Sequence, residues 1–511
     1  MVTRSTTVLR RARVQDGESW IAIEGERILA VGAERDGGAP SGKEVDVEGR
    51  RVLPSFVDAH GHLKDWALDR TRVRVAGETD HDAMVAKVRA FAATLPSGAW
   101  LLGGGWDKNR TGRLPCAADL AGVDRPVMLD SRDGHALWCN HVALELAGIS
   151  RESPDPDGGA IVRDLHREPT GVLYENARRA VQRLVPPPDE AEVERVLRLG
   201  LRELRAMGIA EVHDCSYRSA DGVWATALRL DAAGELPLRI AAAVPGDALD
   251  AALAMGMRTG WGSDRLRIGA LKQLADGTLG SQTAAMEQPF CGGTSSGIMC
   301  IPPTELRDNV RRAASGGIAS WIHAVGDRCL REALAAIADA EAAHPGLPHR
   351  VEHAQLSPPE LIARAREIGV TMSVQPTHLL SDRDLATRYW GERARHSYAY
   401  GSMLRAGIPL AFGSDMPVEA PEPWAGVRAA VLRARDGDAP FFPDEAMDLQ
   451  SALRAYSAGG ADAGPWRGQK GRIAPGQLAD LIVVDPDPEA IAPRDLSTIS
   501  VHLHLIGGRE A

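Results

Sequence analysis

Short β-prone segments alternate with helix-like spans along the middle of the chain, and this alternation limits the fold more than any other feature. The helix-like spans, such as residues 330–343 and 358–368, repeat apolar residues at helical spacing. Strands that alternate with helices favour a parallel sheet, and eight such units predict a (β/α)8 barrel of the TIM type, an α/β fold. The eight predicted strands are residues 53–58, 209–213, 238–244, 266–274, 318–323, 350–353, 370–374 and 408–412.

The count of eight requires one long excursion between the first two strands. Residues 64–188 are rich in turn residues and are predicted to form an insertion that covers the barrel mouth. Residues 1–53 contain short strands punctuated by glycines, without helix-length periodicity, and residues 461–511 end in similar strands. The two ends are predicted to combine into a small β-sandwich domain, which leaves residues 54–460 for the barrel.

Composition excludes several classes of protein. The 511 residues are 44% hydrophobic and 25% charged, as in a soluble globular protein, and a net charge of −10 without a large basic block argues against nucleic acid as a partner. No stretch approaches the roughly 20 apolar residues of a membrane span, and residues 1–17 lack the apolar core of a secretory signal. Six scattered cysteines without a Cys-x-x-Cys pair fit a reduced compartment, so the cytoplasm is the expected location.

The first predicted strand leads into two histidines separated by one glycine, His60 and His62. Residues i and i+2 of an extended chain point to the same face, so both imidazoles can reach one point. Two convergent neutral imidazoles suit a divalent transition metal such as Zn²⁺, although two polar loop histidines would give the same pattern. A second His-x-His, His502 and His504, lies on the polar face of an alternating strand and is predicted to face solvent.

Further metal-ligand side chains lie at the carboxyl ends of other predicted strands. Lys272 lies on the fourth strand, and His323, His353 and Asp415 mark the ends of the fifth, sixth and eighth. The active site of a (β/α)8 barrel lies at the carboxyl ends of its strands, so these side chains and the first His-x-His are expected at one rim. The sequence therefore predicts a metal site at that rim.

The order His-x-His, Lys, His, His and Asp on strands 1, 4, 5, 6 and 8 resembles the amidohydrolase superfamily in its binuclear form. Local stretches narrow the resemblance to the YtcJ-like, or amidohydrolase-3, branch, which includes N-substituted formamide deformylase-type enzymes. These stretches are residues 54–63, 104–107, 133–138, 171–175, 272–283, 323–327, 351–355 and 413–418. The resemblance covers essentially the whole chain and implies that the excursion after the first strand is a true insertion.

The resemblance implies two divalent metal ions, zinc in the first place, with iron or manganese also suited to the ligands. The implied metal ligands are His60, His62, Lys272, His323, His353 and Asp415. The first two histidines and the aspartate are expected to hold the more buried ion, and the other two histidines the more exposed one. Lys272 is expected to carry a CO2-derived carbamate that bridges both ions, with Glu175 of the insertion as an alternative bridge.

Such a site is expected to hydrolyse a C–N bond of a small molecule, in an amide, N-acyl or cyclic amide group, by attack of a metal-bound hydroxide. Asp415 and Lys272 are the expected catalytic residues, and Asp415 would move the proton from the hydroxide to the leaving amine. Three other functions stay open: a mononuclear, deaminase-like site with an unmodified Lys272, ester or lactone hydrolysis, and a non-catalytic scaffold. The filled set of ligand positions argues against the scaffold.

A further group of residues is expected to contact the substrate or to form apolar walls around it. The expected substrate-binding residues are His135, Trp66, Trp106 and Tyr174. His378 and His396 lack supporting spacing and are predicted to be surface residues, and Asp276 is predicted to shape the loop after Lys272. The oligomeric state is open, with a homodimer as the expected form of any assembly.

Overall fold

The computed structural model describes residues 6–15, 17–96 and 98–510. Residues 1–5, 16 and 511 of the predicted terminal domain lie outside the described residues, as does residue 97 of the predicted insertion. Residues 1–17, in which the sequence shows no secretory signal, are therefore only partly described. Within the described ranges, no helix is both long and apolar enough to cross a membrane. The six cysteines are free thiols.

Strands near the N-terminus form the first part of a sheet. They are β1 (Thr6–Gln15), β2 (Gly17–Glu24), β3 (Arg27–Ala33), β4 (Lys43–Asp46) and β5 (Arg51–Pro54). β2 pairs antiparallel with β1 and with β3, and Gly25 makes the turn into β3 with a φ of 61°, a conformation that favours glycine because it has no Cβ. β4 and β5 both pair in parallel with β1.

The chain changes sheets at Ser55, one residue before the first barrel strand, β6 (Phe56–Gly61). The amide of Ser55 donates to the carbonyl of Asp480 (3.0 Å), whereas the next amide donates to the carbonyl of Gly208 (2.9 Å). The prediction of a first barrel strand at residues 53–58 is therefore wrong at its start, since its first two residues belong to β5. The sequence stays apolar across this junction, and only the change of hydrogen-bond partners marks it.

The part of the chain between β6 and the second barrel strand forms a separate mixed sheet. Its strands are β7 (Val73–Arg74), β8 (Leu101–Trp106), β9 (Val127–Ser131), β10 (Ala136–Cys139), β11 (Gly159–Arg163) and β12 (Pro169–Glu175). Their order is β11-β12-β10-β9-β8-β7, with β7, β8 and β9 parallel and the other pairs antiparallel. The helices here are α1 (Leu63–Leu68), α2 (His81–Ala92), α3 (Lys108–Thr111), α4 (His141–Leu146) and α5 (Arg179–Gln182).

Eight parallel strands form the barrel, each hydrogen-bonded to the next. After β6 they are β13 (Ile209–Asp214), β14 (Arg239–Pro245), β15 (Leu266–Leu274), β16 (Ser320–Ala324), β17 (Arg350–His353), β18 (Thr371–Val374) and β19 (Leu410–Phe412). Past β19, the amide of Asp415 donates to the carbonyl of His60 (2.7 Å), and the amide of His62 donates to the carbonyl of Met416 (2.8 Å). These bonds bring the last strand beside the first, so the barrel is nearly closed and the predicted eight parallel strands are confirmed.

Helices accompany most barrel strands. They are α6 (Glu190–Ala206), α7 (Trp224–Ala232), α8 (Leu249–Ala254), α9 (Pro303–Ser315), α10 (Asp327–Ala343), α11 (Pro359–Ile368), α12 (Pro376–Trp390), α13 (Tyr400–Arg405), α14 (Pro423–Leu432), α15 (Leu449–Arg454) and α16 (Gly460–Asp462). α6 illustrates the local cause: the side chain of Asp189 accepts from the amide of Ala191 and caps the helix, while Val193, Leu197 and Leu201 are buried on one face.

The last strands return to the first ones. They are β20 (Leu481–Asp485), β21 (Ser500–Ile506) and β22 (Arg509–Glu510). The sheet order is β22-β21-β20-β5-β1-β2-β3, with β4 also on β1. Strands from both ends of the described chain therefore share one sheet, while the sandwich arrangement and the domain boundaries drawn from the sequence stay predictions.

The second His-x-His lies on β21, and its two histidines differ in burial. His502 is exposed, as predicted, but His504 is only 7% exposed. Nδ1 of His504 lies 2.8 Å from the carbonyl oxygen of Arg205, and its Nε2 lies 3.1 Å from Oγ of Ser55. The prediction that His504 faces solvent is wrong, because the C-terminal end of α6 covers this part of β21.

Candidate metal centre

His60, His62 and Asp415 form a compact group of metal-ligand side chains at the carboxyl end of the barrel. Their ligand atoms all lie within 4.8 Å of one another. Nε2 of His62 lies 3.3 Å from Oδ1 of Asp415, and Nε2 of His60 lies 3.5 Å from the same oxygen. The end of β6 supplies both imidazoles, and the backbone bond between Asp415 and His60 sets the carboxylate beside them. Two nitrogen donors and one oxygen donor that converge in this way suit a divalent metal.

Glu352 of β17 orients the ring of His60. Nδ1 of His60 lies 2.6 Å from Oε2 of Glu352, so Nδ1–H donates to the carboxylate and Nε2 keeps its lone pair. Burial, together with the charge of Lys272, lowers the pKa of His60 to about 4, which leaves the ring neutral near pH 7. A neutral imidazole held by a carboxylate on its other nitrogen is the form that binds metals.

His323 and His353 bring two more imidazoles to the same place. Their ring centroids are 4.4 Å apart, and the ring of His353 is 4.8 Å from that of His60. Burial lowers the pKa of both His323 and His353 well below the ordinary value. Nδ1 of His353 is buried and has no hydrogen-bond partner within the described part of the chain. A buried nitrogen without a partner, beside other neutral rings, fits a metal ion as its ligand.

Lys272 of β15 lies beside this group. It is 1% exposed, and its Nζ lies 3.4 Å from Nε2 of His60. Among the residues that the structure describes, no carboxylate forms an ion pair with this nitrogen within 4.0 Å. The side chain of Lys272 is therefore enclosed by the site and lies beside the imidazole of His60.

Asp276 holds the loop that follows Lys272, as predicted. Its carboxylate accepts hydrogen bonds of 2.9 to 3.0 Å from the amides of Ala285, Val325 and Gly326. Burial raises the pKa of Asp276 to about 7, although these three bonds favour the charged form. The side chain therefore ties the ends of β15 and β16 together.

A cavity of about 930 Å³ borders the metal-ligand group. Residues of the barrel rim and of the mixed sheet both line it. Three of the residues expected to bind substrate, His135, Trp106 and Tyr174, are among them. A concave pocket beside such a group of side chains is the usual form of a small-molecule site.

Trp66, the fourth residue expected at the substrate, does not line this cavity. Its ring packs against α6, where a β-carbon on Gly200 would lie 2.6 Å from the ring. The guanidinium of Arg70 covers the ring, 4.2 Å from its centroid. Trp66 is thus a core residue between α1 and α6, because the helix after β6 turns this side chain away from the rim.

His135 and Glu175 form a buried pair beside the second pair of histidines. Nδ1 of His135 lies 2.9 Å from Oε2 of Glu175, and the ring of His135 is 5.2 Å from that of His323. Burial opposes the charged ring, but the carboxylate of Glu175 raises the pKa of His135 above its ordinary value. Both Glu175 oxygens lie within 3.1 Å of His135, so the carboxylate already has a partner.

His378 is a site residue that the sequence did not reveal. It was predicted to lie at the surface, yet it is 8% exposed, lines the cavity and places Nε2 3.5 Å from Oδ2 of Asp415. α12 starts at Pro376, directly after β18, so His378 lies at the same rim as the ligands. The sequence feature that could have placed His378 at the rim is its position shortly after the seventh predicted strand.

Similarity to known proteins agrees with this site. A sequence profile of the amidohydrolase family matches residues 43–511. YtcJ of Bacillus subtilis (strain 168) is 31% identical over 487 residues, which cover 92% of this chain and 91% of that protein. N-substituted formamide deformylase of Arthrobacter pascens is 28% identical over 514 residues, covering 96% and 94%.

Among solved structures, an uncharacterized metal-dependent hydrolase from Pyrococcus horikoshii OT3 has the same fold. The TM-score is 0.77 at 25% identity, and the match covers 96% of this chain and 99% of that chain. The family profile extends across the barrel and the C-terminal strands, and the two relatives and this structure each cover more than nine-tenths of the chain. The chain therefore belongs to the amidohydrolase family, in its YtcJ-like branch, and is a metal-dependent hydrolase.

Proposed function

We propose that the protein hydrolyses a C–N bond of a small molecule, in an amide, N-acyl or cyclic amide group. The observation that carries this proposal is the convergence of His60, His62 and Asp415 within 4.8 Å beside a cavity of about 930 Å³. A cavity of this size suits a small organic substrate. The name of N-substituted formamide deformylase, a relative over nearly the whole length, supports the C–N class.

The ligands suit two divalent ions, with zinc preferred and iron or manganese as alternatives. His60, His62 and Asp415 would hold one ion, and His323 and His353 would hold the other. When bound, such ions lower the pKa of water and polarise a carbonyl group. The lowered pKa values of His60, His323 and His353 support this assignment, because a protonated ring cannot bind a metal.

Lys272 would bridge the two ions as a carbamate. Its neutral amine would attack CO2: an N–C bond would form as one C–O π bond of CO2 breaks, and the nitrogen would lose one proton to solvent. The neutral amine would thus become a carbamate anion with two oxygen donors. This would add oxygen ligands to a group of imidazoles. Glu175, the alternative bridge, is already hydrogen-bonded to His135, which favours Lys272 in this role.

Asp415 would take a proton from the attacking water and deliver it to the leaving nitrogen. Its two oxygens have different neighbours, with Oδ1 facing His60 and His62 and Oδ2 facing His378. Oδ2 is therefore the oxygen available for proton transfer. His378 would hold this oxygen toward the cavity and orient the leaving group.

The test uses the full chain loaded with zinc and a panel of N-formyl, N-acyl and cyclic amide compounds, with esters and lactones alongside. We expect two ions per chain and release of amine. In His60→Ala the content should fall below two ions and the release of amine should be lost. Both should be retained in the control His502→Ala, an exposed histidine of the other His-x-His. One ion per chain with an unmodified Lys272 would indicate the mononuclear, deaminase-like site. Turnover of esters or lactones alone would overturn the C–N class.

The remaining expectations from the sequence stay predictions. They are a cytoplasmic location, a homodimeric assembly, and an insertion at residues 64–188 that covers the barrel mouth. The presence of His135 and Tyr174 from these residues in the cavity wall supports the last of them.

A further inference from the structure

The interior of the barrel holds buried charged side chains where branched apolar residues are usual. Seven polar side chains below the ligand group, each at most 2% exposed, make a continuous set of contacts. They are Glu352, Arg350, His213, Glu211, Lys470, Asp480 and Arg239. We call the first six the buried polar chain; Arg239 lies beside its far end.

The buried polar chain begins at the ring of His60. Oε2 of Glu352 accepts from Nδ1 of His60 (2.6 Å), and Oε1 accepts from Nε of Arg350 (2.5 Å). Nη2 of Arg350 donates to the carbonyl of Ala59, one residue before His60, at 2.7 Å. Arg350 therefore holds the ring of this ligand through Glu352 and its backbone through Ala59.

The next contact crosses the barrel. Nη1 of Arg350 on β17 lies 2.7 Å from Nδ1 of His213 on β13, and these strands are not neighbours in the sheet. Nε2 of His213 lies 2.8 Å from Oε1 of Glu211. Because a guanidinium can only donate, His213 must accept at Nδ1 and donate from Nε2. These contacts fix the ring as the neutral tautomer that carries its proton on Nε2. A protonated His213 would place two N–H groups against each other.

The far end reaches the segment that enters the terminal sheet. Nζ of Lys470 lies 3.0 Å from both Oε2 of Glu211 and Oδ2 of Asp480. Arg239 also donates to both oxygens of Asp480, at 3.0 and 3.1 Å. Asp480 directly precedes β20, and its Oδ1 accepts from the amide of Gly507 after β21 (2.8 Å).

The charges in this set cancel. Arg239, Arg350 and Lys470 supply three cations, and Glu211, Glu352 and Asp480 supply three anions. Although burial favours the neutral acids, Lys470 holds the pKa of both Glu211 and Asp480 below the ordinary value. Removal of one member leaves a buried charge uncompensated, which is far more harmful than removal of a balanced pair.

Stability alone does not account for such an arrangement, because apolar residues of similar volume would serve as well. The contacts do, however, fix the angle of one ring and the position of its backbone. We propose that the buried polar chain positions His60 for metal binding, so that the metal affinity of the site depends on Lys470 and Asp480 at the terminal sheet. This inference rests on the proposed function in taking His60 as a metal ligand.

The experiment measures zinc dissociation constants of the metal-free full chain by competition with a chelator, without any substrate. His60→Ala identifies the constant that belongs to this ligand. Glu352→Gln, which is nearly isosteric, is expected to weaken that constant by about 10- to 100-fold, and Lys470→Met by about 10-fold. The double variant Lys470→Met with Glu211→Gln is expected to recover most of the loss, because it removes one charge of each sign.

Arg433→Met is the matched control. Arg433 is also a fully buried cation, but it donates to the carbonyls of Phe441 and Tyr398. It makes no described hydrogen bond or ion pair with a member of the buried polar chain. We expect this variant to lower the unfolding temperature without a change in the zinc constant. If Lys470→Met does not fold, Glu352→Gln against Arg433→Met decides the question.

Zinc constants of Lys470→Met and Glu352→Gln equal to that of Arg433→Met would overturn the inference. A zinc constant unaffected by His60→Ala would overturn it as well, by removing the ligand on which it rests. Zinc binding that depends on His60 and on Lys470 but supports no C–N hydrolysis would leave the inference standing and count against the proposed function alone.

Discussion

Nε2 of His378 lies 3.5 Å from Oδ2 of Asp415, while the other carboxylate oxygen faces His60 and His62. The two oxygens of one aspartate are thus divided between the metal-ligand group and a histidine in the cavity wall. This division suits a carboxylate that binds a metal with one oxygen and exchanges a proton with the other. It also places His378, which the sequence predicted to lie at the surface, beside the oxygen proposed to carry the proton.

His378→Ala should therefore lower kcat by about 10- to 100-fold, because a partner that orients a ligating side chain contributes on that scale. Metal content should stay at the parent value, since His378 faces Oδ2 and not the oxygen beside His60 and His62. The measurement is steady-state kinetics with metal analysis on the same sample. An unchanged kcat, or loss of metal together with activity, would show that His378 has a different role.

Lys272→Met should lose the bridging ligand. Metal content should fall below two ions per chain, and kcat should fall on the order of 1,000-fold, because loss of metal stabilisation costs several kcal/mol. Labelled CO2 should give a carbamate signal in carbon NMR of the parent and none in the variant. Lys108→Met is the control, since Lys108 also lines the cavity but contacts Gln282 and not the ligands. Two ions retained in Lys272→Met would exclude the bridge.

The sequence predicted that the proposed ligands lie together because they lie at or near the carboxyl ends of strands in a regular repeat. In a barrel of parallel strands, local pattern places every carboxyl end at one rim, so Lys272, His323 and His353 could be expected there without knowledge of their contacts. The structure brings these three beside His60, with Lys272 and His353 within direct reach of its ring. That part of the site depends on topology and not on packing.

Features that depend on distant partners could not be read from sequence. The switch of sheets at Ser55 is set by bonds to Asp480 and Gly208, far along the chain. The direction of Trp66 follows from the packing of α1 on α6. The charges of Arg350 and Glu352, on a predicted barrel strand, were visible, but their partners lie across the barrel.

The two histidines of β21 give a matched test of burial. Burial lowers the pKa of His504 from 6.5 to about 4. The unfolded chain therefore binds a proton that the folded chain rejects between these values, so stability is lost as pH falls from about 6.5 toward 4. The difference is roughly 3 kcal/mol at its full extent.

His504→Gln should remove this contribution, so the urea midpoint of the variant should depend less on pH between 4.5 and 7. The urea midpoint at pH 7 should be lower than that of the parent, because the bonds to Arg205 and Ser55 are weakened. His502→Gln should keep the parent's pH dependence, since this side chain is exposed. Equal pH dependence in both variants would contradict the burial of His504.

Gly413 lies where β19 meets β6, and its lack of a side chain lets the strands close. A β-carbon there would lie 2.4 Å from the backbone nitrogen of His60 and 3.0 Å from Oδ1 of Asp58. Because neither atom can move freely, Gly413→Ala should cost about 1 to 3 kcal/mol of unfolding free energy. It should also displace His60 and weaken zinc binding by about 10-fold. Gly222→Ala is the control, with a φ of −70° and its nearest atom 3.7 Å away, and should change neither quantity. Denaturant unfolding measures the stability, and chelator competition measures the zinc affinity. Normal zinc affinity in a destabilised Gly413→Ala would show that closure of the barrel does not set the position of His60.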